Sequence, residues 1–225
     1  MSRRIILWRH GRTEWNVVGR VQGQSDTPLD DVGLKQAWES AARLAALHPT
    51  RIVSSDLRRA ADTAAALGRL CEMEVEFEPR LRELDFGARE GLTWTESWEK
   101  MPEGMKAWME GDESKIPGSE THHQAGERFA AALREHAGAL GDDETLVAVT
   151  HGGVARVGAC SFLGFPPDSW GSFGGLNNCA WSVLEEERYG DHTRWRIIEW
   201  NAGTLPEPIM SDDELSGLGP PPGTG

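Results

Sequence analysis

The sequence predicts an α/β protein: a three-layer α/β/α sandwich around a mostly parallel sheet, with a small helical cap insertion and a C-terminal β-hairpin. Three observations predict it. Short apolar runs rich in β-branched and aromatic residues, Ile5–Trp8, RIVSS at 51–55 and TLVAVT at 145–150, read as buried strands. Segments of helical periodicity lie between them, and strands alternating with helices make a sheet covered on both faces. Two last stretches, CAWSVLEEE and RWRIIEWN, meet across a short polar loop at Arg188–Thr193 and pair as a hairpin.

Each element follows in order. After the first strand, residues 29–48 set Leu34, Trp38, Ala41 and Ala45 on one helical face. RIVSS leads into an alanine-rich helix over 57–71, and MEVEFEP alternates Val75 and Phe77 against Glu74, Glu76 and Glu78 as an edge strand. Residues 87–119, rich in Trp, Met, Glu and Gly, break the alternation and read as a helical insertion over one end of the sheet. A long helix near 120–140 puts Ala125, Phe129, Ala132, Leu133 and His136 on one side, and GGVARVGACSFLG forms the helix after TLVAVT. From Gly203 on, PEP and PPPG with few apolar groups read as a disordered tail. The chain thus divides into one domain, 1–202, carrying a cap at 87–119, and a tail, 203–225.

The net charge is −13 over 225 residues. Four of these charges (Glu207, Asp212, Asp213, Glu214) lie in the tail, so the body carries −13 + 4 = −9. Such a balance argues against nucleic acid or an anionic membrane as partner, and makes any phosphate site a local positive pocket in an acidic protein. Cys71, Cys160 and Cys179 are odd in number and lack C-x-x-C spacing, which fits thiols in a reducing cytoplasm. The apolar run after Arg3-Arg4 is too short for a signal peptide, and no window approaches a membrane span. A cytoplasmic protein is expected.

Three strands end in reactive residues: Arg9-His10-Gly11, the run Ser54-Ser55-Asp56-Leu57-Arg58-Arg59, and His151-Gly152-Gly153. Parallel neighbours bring these ends together at one sheet edge, where two histidines and the arginines make an anion pocket and glycines admit a close backbone. The planar fork of arginine suits phosphate. A histidine there can attack phosphorus if it is neutral, and nearby positive charge keeps it so. The expelled alkoxide needs an acid, and Glu83 in LRELDFGAREG is the candidate. The same arginines oppose protonation of Glu83; substrate charge and burial must outweigh them.

LWRHGRTEWN, SSDLRRAADTA, LRELDFGAREG and VTHGG, in this order within Arg4–Asn201, resemble the histidine phosphatase superfamily, the phosphoglycerate mutase-like group. The resemblance implies His10 as the phosphorylated nucleophile and Arg9 as its phosphate-binding neighbour. It implies Arg59 as the second pocket arginine, His151 as a holder of phosphoryl oxygens and Glu83 as proton donor. Asn16 matches a position near the phosphate, and Gln22-Gly23 a substrate-side loop. No metal or cofactor is implied. Mutases of this group follow the glutamate with basic and aromatic residues and carry an arginine pair in the insertion. Here Leu84 and Asp85 follow, and residues 92–118 contain Lys100, Lys106 and Lys115 but no arginine, which favours a phosphatase. RVQGQSDT, IVSSDLRRAADTA, and NNCAWS with RWRIIEWNA are similar to the glucosyl-3-phosphoglycerate phosphatases, which implies a sugar-acid phosphate as substrate and a homodimer. A mutase, a broad small-ester phosphatase and a non-catalytic phosphate binder are the alternatives.

Other features have plainer readings. Arg58 points to solvent or a carboxylate. His122-His123, at a helix start without metal-ligand spacing, read as solvated. Trp94, Trp98 and Trp108 form a mini-core of the cap, with sugar stacking the competing reading, and Trp181, Trp195 and Trp200 belong to the core. The acidic runs at 185–187 and 211–214 read as a solvated turn and a tail. Walker A, GxGxxG and GxSxG motifs are absent from the sequence.

Overall fold

Two thin apolar layers, one on each face of a single sheet, organise the chain in a computed structural model that describes residues 2–190 and 192–203. The strands are β1 (Arg4–Arg9), β2 (Arg51–Ser54), β3 (Val75–Phe77), β4 (Thr145–Thr150), β5 (Trp181–Tyr189) and β6 (His192–Ala202). Their order is β3-β2-β4-β1-β5-β6; β1 to β4 run parallel, while β5 is antiparallel to β1 and β6 to β5. The side-chain period of two divides β1 and β4 between the layers. Ile5, Leu7, Leu146 and Ala148 face one, and Ile6, Trp8, Val147 and Val149 the other.

The first layer is closed by α6 (His122–Gly138) and α7 (Gly152–Leu163), the second by α2 (Asp31–Ala45) and α3 (Arg58–Cys71). The helix after β1 therefore lies on the opposite face from the helix after its neighbour β4. That reversal opens a crevice at the carboxyl ends of the two central strands, which end in Arg9 and Thr150, and ligands bind at such a point in α/β sheets.

α2 corrects the expected face. Leu34 and Trp38 are 45% and 43% exposed; the buried stripe is Gly33, Gln36, Ala37, Ser40, Ala41 and Leu44. The cause is the close approach of this helix to Gly11 and Arg12: a Cβ on Gly33 would collide with the Arg12 carbonyl, and one on Gly11 with that of Gly33. At that end of the helix only a glycine fits against the Gly11–Arg12 backbone, which fixes the rotation of α2 and leaves Leu34 and Trp38 outside while Leu44 is buried further along. β3 is the edge strand expected, but Phe77 is exposed rather than inward.

α4 (Trp94–Lys100) and α5 (Pro102–Met109) lie within the insertion, whose ends are joined by a bridge between Phe86 and Ser119. Its centre is aromatic: Trp94 packs edge-on against Trp98 and Trp108, and the buried Arg89 guanidinium lies over Phe86, Trp94 and Trp108, 4.8 Å from the last. His122 is half-buried and pairs with Glu113, while His123 is exposed as expected and stacks on Trp170.

The hairpin is longer than expected, its pairing reaching Tyr189 opposite His192. The EEE run is therefore strand, not turn. Glu186 is buried and paired with Arg3 and Arg188, while Glu187 pairs with Arg194 and Arg196. Trp195 and Trp200 are half-buried against the first layer and Trp181 against the second. Of the expected tail, 203–225, all but Gly203, the run at 211–214 included, lies outside the described residues. Among the described residues no helix is long and apolar enough to cross a membrane.

Candidate active site

β1 delivers Arg9 and His10 into the crevice, and both are buried. Arg9 Nη1 donates to the Leu176 carbonyl at 2.7 Å. The His10 backbone is tied at both ends: its N–H donates to Thr150 O, and its carbonyl accepts from Cys179 N–H and from Asn178 Nδ2 at 3.2 Å. The ring is oriented by Nδ1, which lies 2.7 Å from the Gly11 carbonyl. A carbonyl only accepts, so Nδ1 carries the hydrogen and Nε2 presents a lone pair to the crevice. Burial, then the Arg59 and Arg9 charges, hold the His10 pKa well below the ordinary imidazole value, so the ring is neutral.

Arg59, fully buried in the first turn of α3, stands between the two histidines. Its Nε donates toward His10 Nε2 at 3.3 Å and His151 Nδ1 at 3.2 Å. Its fork is aimed by two carbonyls, Nη2 to Gly23 O at 2.6 Å and Nη1 to Ser25 O at 2.7 Å. Arg58, one residue earlier, points out as expected and meets Asp62 at 3.7 Å. His151 follows β4 and is fully buried; its Nε2 lies 2.9 Å from Ser55 Oγ, and the two imidazoles meet edge-on with centroids 5.1 Å apart. With Nδ1 accepting from Arg59, the His151 hydrogen sits on Nε2. Burial and then Arg59, with smaller contributions from His10, Arg9 and Arg128, lower its pKa strongly.

Glu83 reaches the crevice from the segment before the cap, held between buried Leu81 and Leu84. Arg128 of α6 gathers this segment by donating to the carbonyls of Arg80, Arg82 and Glu83. The carboxylate caps α7: Oε1 accepts from Val154 N at 2.7 Å and Leu84 N at 3.0 Å, and Oε2 from Gly153 N at 3.1 Å. α7 has no side-chain cap of its own, and a carboxylate from elsewhere satisfies its first amides and complements its dipole. Arg80 and Arg82, the neighbours that could have claimed Glu83 as an ion-pair partner, pair with Glu78 and Glu135 and with Asp56.

The remaining expected residues form a surrounding layer. Asn16 Oδ1 accepts from Thr13 and from Asn178 Nδ2 at 3.3 Å, so it reaches His10 through Asn178. Gln22 Oε1 accepts from the Thr13 and Thr27 hydroxyls, which shapes the loop that presents the Gly23 carbonyl to Arg59. Sequence reasoning missed Asn178, Ser55, Thr63 and Arg128. Thr63 Oγ1 bridges the Arg59 carbonyl and the Gly11 N–H. Ser55, Thr63 and Asn178 lie in motifs that were read without assigning them a role, while Arg128 meets the site only through the fold. Among the described residues no group of three or more His, Cys, Asp or Glu converges as a metal site.

A cavity of about 770 Å³ is lined by Trp108 of the cap, His122, Arg156 and Val157 of α7, and Phe173; none of His10, Arg59, Glu83 and His151 lines it.

Comparison with known proteins agrees with this geometry. The chain is 38% identical over 213 residues to a glucosyl-3-phosphoglycerate phosphatase of Mycolicibacterium vanbaalenii, covering 89% of this chain and 95% of that one. A metal-independent phosphoserine phosphatase of Arabidopsis thaliana is 42% identical over 160 residues, 68% of this chain and 65% of that one. A mycobacterial glucosyl-3-phosphoglycerate phosphatase solved in complex with VO3 superposes with a TM-score of 0.80 at 36% identity, covering 89% of this chain and 100% of that one. Residues 5–203 match the family described as the histidine phosphatase superfamily, branch 1, and the chain belongs to that superfamily.

Proposed function

We propose that this phosphoric monoester hydrolase removes the phosphoryl group from glucosyl-3-phosphoglycerate, in two steps through a phosphohistidine at His10. The observation that carries the reading is the His10 ring: hydrogen on Nδ1, an Nε2 lone pair that accepts from Arg59 Nε at 3.3 Å, and two guanidinium groups beside it. In the first step Nε2 attacks phosphorus and the P–O bond to the sugar acid breaks. Arg9 and Arg59 take the equatorial oxygens. His151 joins them once the phosphoryl group displaces Arg59 Nε from its Nδ1 and the ring hydrogen moves from Nε2 to Nδ1, the Ser55 hydroxyl then donating to Nε2. Glu83 protonates the leaving oxygen. In the second step Glu83 takes a proton from water, hydroxide attacks the phosphohistidine, the N–P bond breaks and inorganic phosphate leaves.

The substrate assignment draws on the relatives of that name. In this reading residues 1–202 are the catalytic domain and 87–119 its cap. Asn16, Gln22 and Gly23 shape the phosphate side, and the chain works as a cytoplasmic homodimer, consistent with three free thiols. Phosphate release from glucosyl-3-phosphoglycerate, 3-phosphoglycerate and an aryl phosphate tests it. The glucosyl ester should be strongly preferred and His10→Ala should abolish release; equal slow release from all three would remove the substrate assignment.

A further inference from the structure

Glu90 is outside the set of residues the chemistry requires, yet it is built into the support of Arg59. Its carboxylate accepts from the Gln24 N–H at 2.7 Å, the Ser25 hydroxyl at 2.6 Å and the Phe86 N–H at 3.3 Å. Hydrogen bonds to an ionised acceptor are the strong ones. Gln24 and Ser25 belong to the loop whose Gly23 and Ser25 carbonyls aim the Arg59 fork, and Arg59 Nε in turn lies between His10 and His151. The packing is closed as well as bonded. Gly23 sits at φ 51°, and a Cβ there would collide with the Glu90 carboxylate. Gln24 also donates from Nε2 to the Glu83 carbonyl, so the loop touches both halves of the chemistry.

We propose that Glu90 is a positioning residue: it splints residues 23–25 against the base of the cap and thereby sets where the Arg59 guanidinium stands between the two imidazoles. The proposal rests on His10 as nucleophile. Its consequence is electrostatic. The groups facing the His10 ring are the Arg9 and Arg59 guanidiniums, the His151 ring and the Gly11 carbonyl at Nδ1. If Arg59 recedes, burial and Arg9 still oppose protonation of His10, but one of the two nearby charges is weakened, and the ring takes up a proton at higher pH.

The test compares the full chain with Glu90→Ala, Glu90→Gln and Gly23→Ala. The readouts are the pH profile of kcat/KM on an aryl phosphate and NMR titration of the His10 ring, assigned through His10→Ala. Glu90→Ala should lose on the order of 10²-fold in kcat, the scale of a displacement of about 1 Å in a catalytic group. Its acid limb should move to higher pH. Glu90→Gln keeps one carbonyl oxygen and should fall between Ala and the parent. Gly23→Ala forces the same contact apart from the loop side and should reproduce the shift. Should Glu90→Ala fail to fold, the other two variants carry the comparison. A merely structural role would lower thermal stability without moving either profile. Unchanged acid limbs and unchanged His10 titration in the folded variants would overturn the proposal. An inactive parent chain would overturn the phosphatase reading instead, while the NMR titration would still report on Glu90.

Discussion

At the scale of single residues, Arg59 and Arg58 are adjacent in the chain and opposite in environment. Arg59 is fully buried, with its fork on two carbonyls and its Nε between two histidines; the Arg58 side chain is 63% exposed. Arg59→Ala removes a preorganised donor and should cost on the order of 10²–10³ in rate. Arg58→Ala gives up only an exposed contact with Asp62 and should stay within about twofold, since exposed pairs contribute little. Steady-state kinetics on the two variants checks this; equal losses would contradict the placement of the two side chains. The distinction was legible in the motif, because the arginine before Ala60 matches the superfamily pocket. The roles of Asn178 and Arg128 were not. Each meets the site through a hydrogen bond to backbone of a segment distant in sequence, and spacing along one chain carries no signal for that.

At the scale of elements, the strands and the helices after them were readable because their burial is two-sided and their ends coincide with the motifs. Ile5–Trp8 lies within β1, TLVAVT coincides with β4, and the acidic-apolar alternation around Val75 marked the edge. What could not be read was which face of a helix turns inward. Periodicity marks large apolar residues, but the rotation of α2 is set by Gly33 docking on the backbone at Gly11 and Arg12, which turns Leu34 and Trp38 outward. The hairpin shows the same limit from the polar side. A run of three glutamates reads as solvent, but Glu186 is inward because Arg3 and Arg188 converge on it. A second device of this kind is the N-terminus of α7, which lacks a capping side chain in its own sequence and takes Glu83 instead. The carboxylate proposed as proton donor thus doubles as the helix cap, which is visible only once the segment before the cap insertion is folded onto α6.

At the scale of the whole molecule, the buried histidines connect site and stability. His10 and His151 are neutral when folded and have pKa values well below the ordinary one, while in the unfolded chain they protonate near 6.5. Below about pH 6.5 the unfolded state therefore binds more protons, and stability falls as pH drops toward the folded pKa values, by about 1.4 kcal/mol per pH unit for each such proton. The paired carboxylates Asp56, Glu78 and Glu186 act with the same sign but lower, since their pKa values are depressed from the ordinary carboxylate range, Glu78 to about 2. Denaturant unfolding between about pH 5 and 6.5 isolates the histidines. The slope should be positive there and should fall by about one proton in His10→Ala. A slope unchanged by the substitution would contradict the neutral, buried state of that ring.

The claim on which the rest depends is that His10 Nε2 carries the phosphoryl group. Rapid quenching with a ³²P-labelled monoester tests it most directly, in the parent chain, in His10→Ala and in Glu83→Gln. The parent should yield acid-labile, base-stable label on protein, His10→Ala none, and Glu83→Gln a longer-lived label because water is no longer activated. Turnover without labelled protein in the parent, or label retained in His10→Ala, would contradict it.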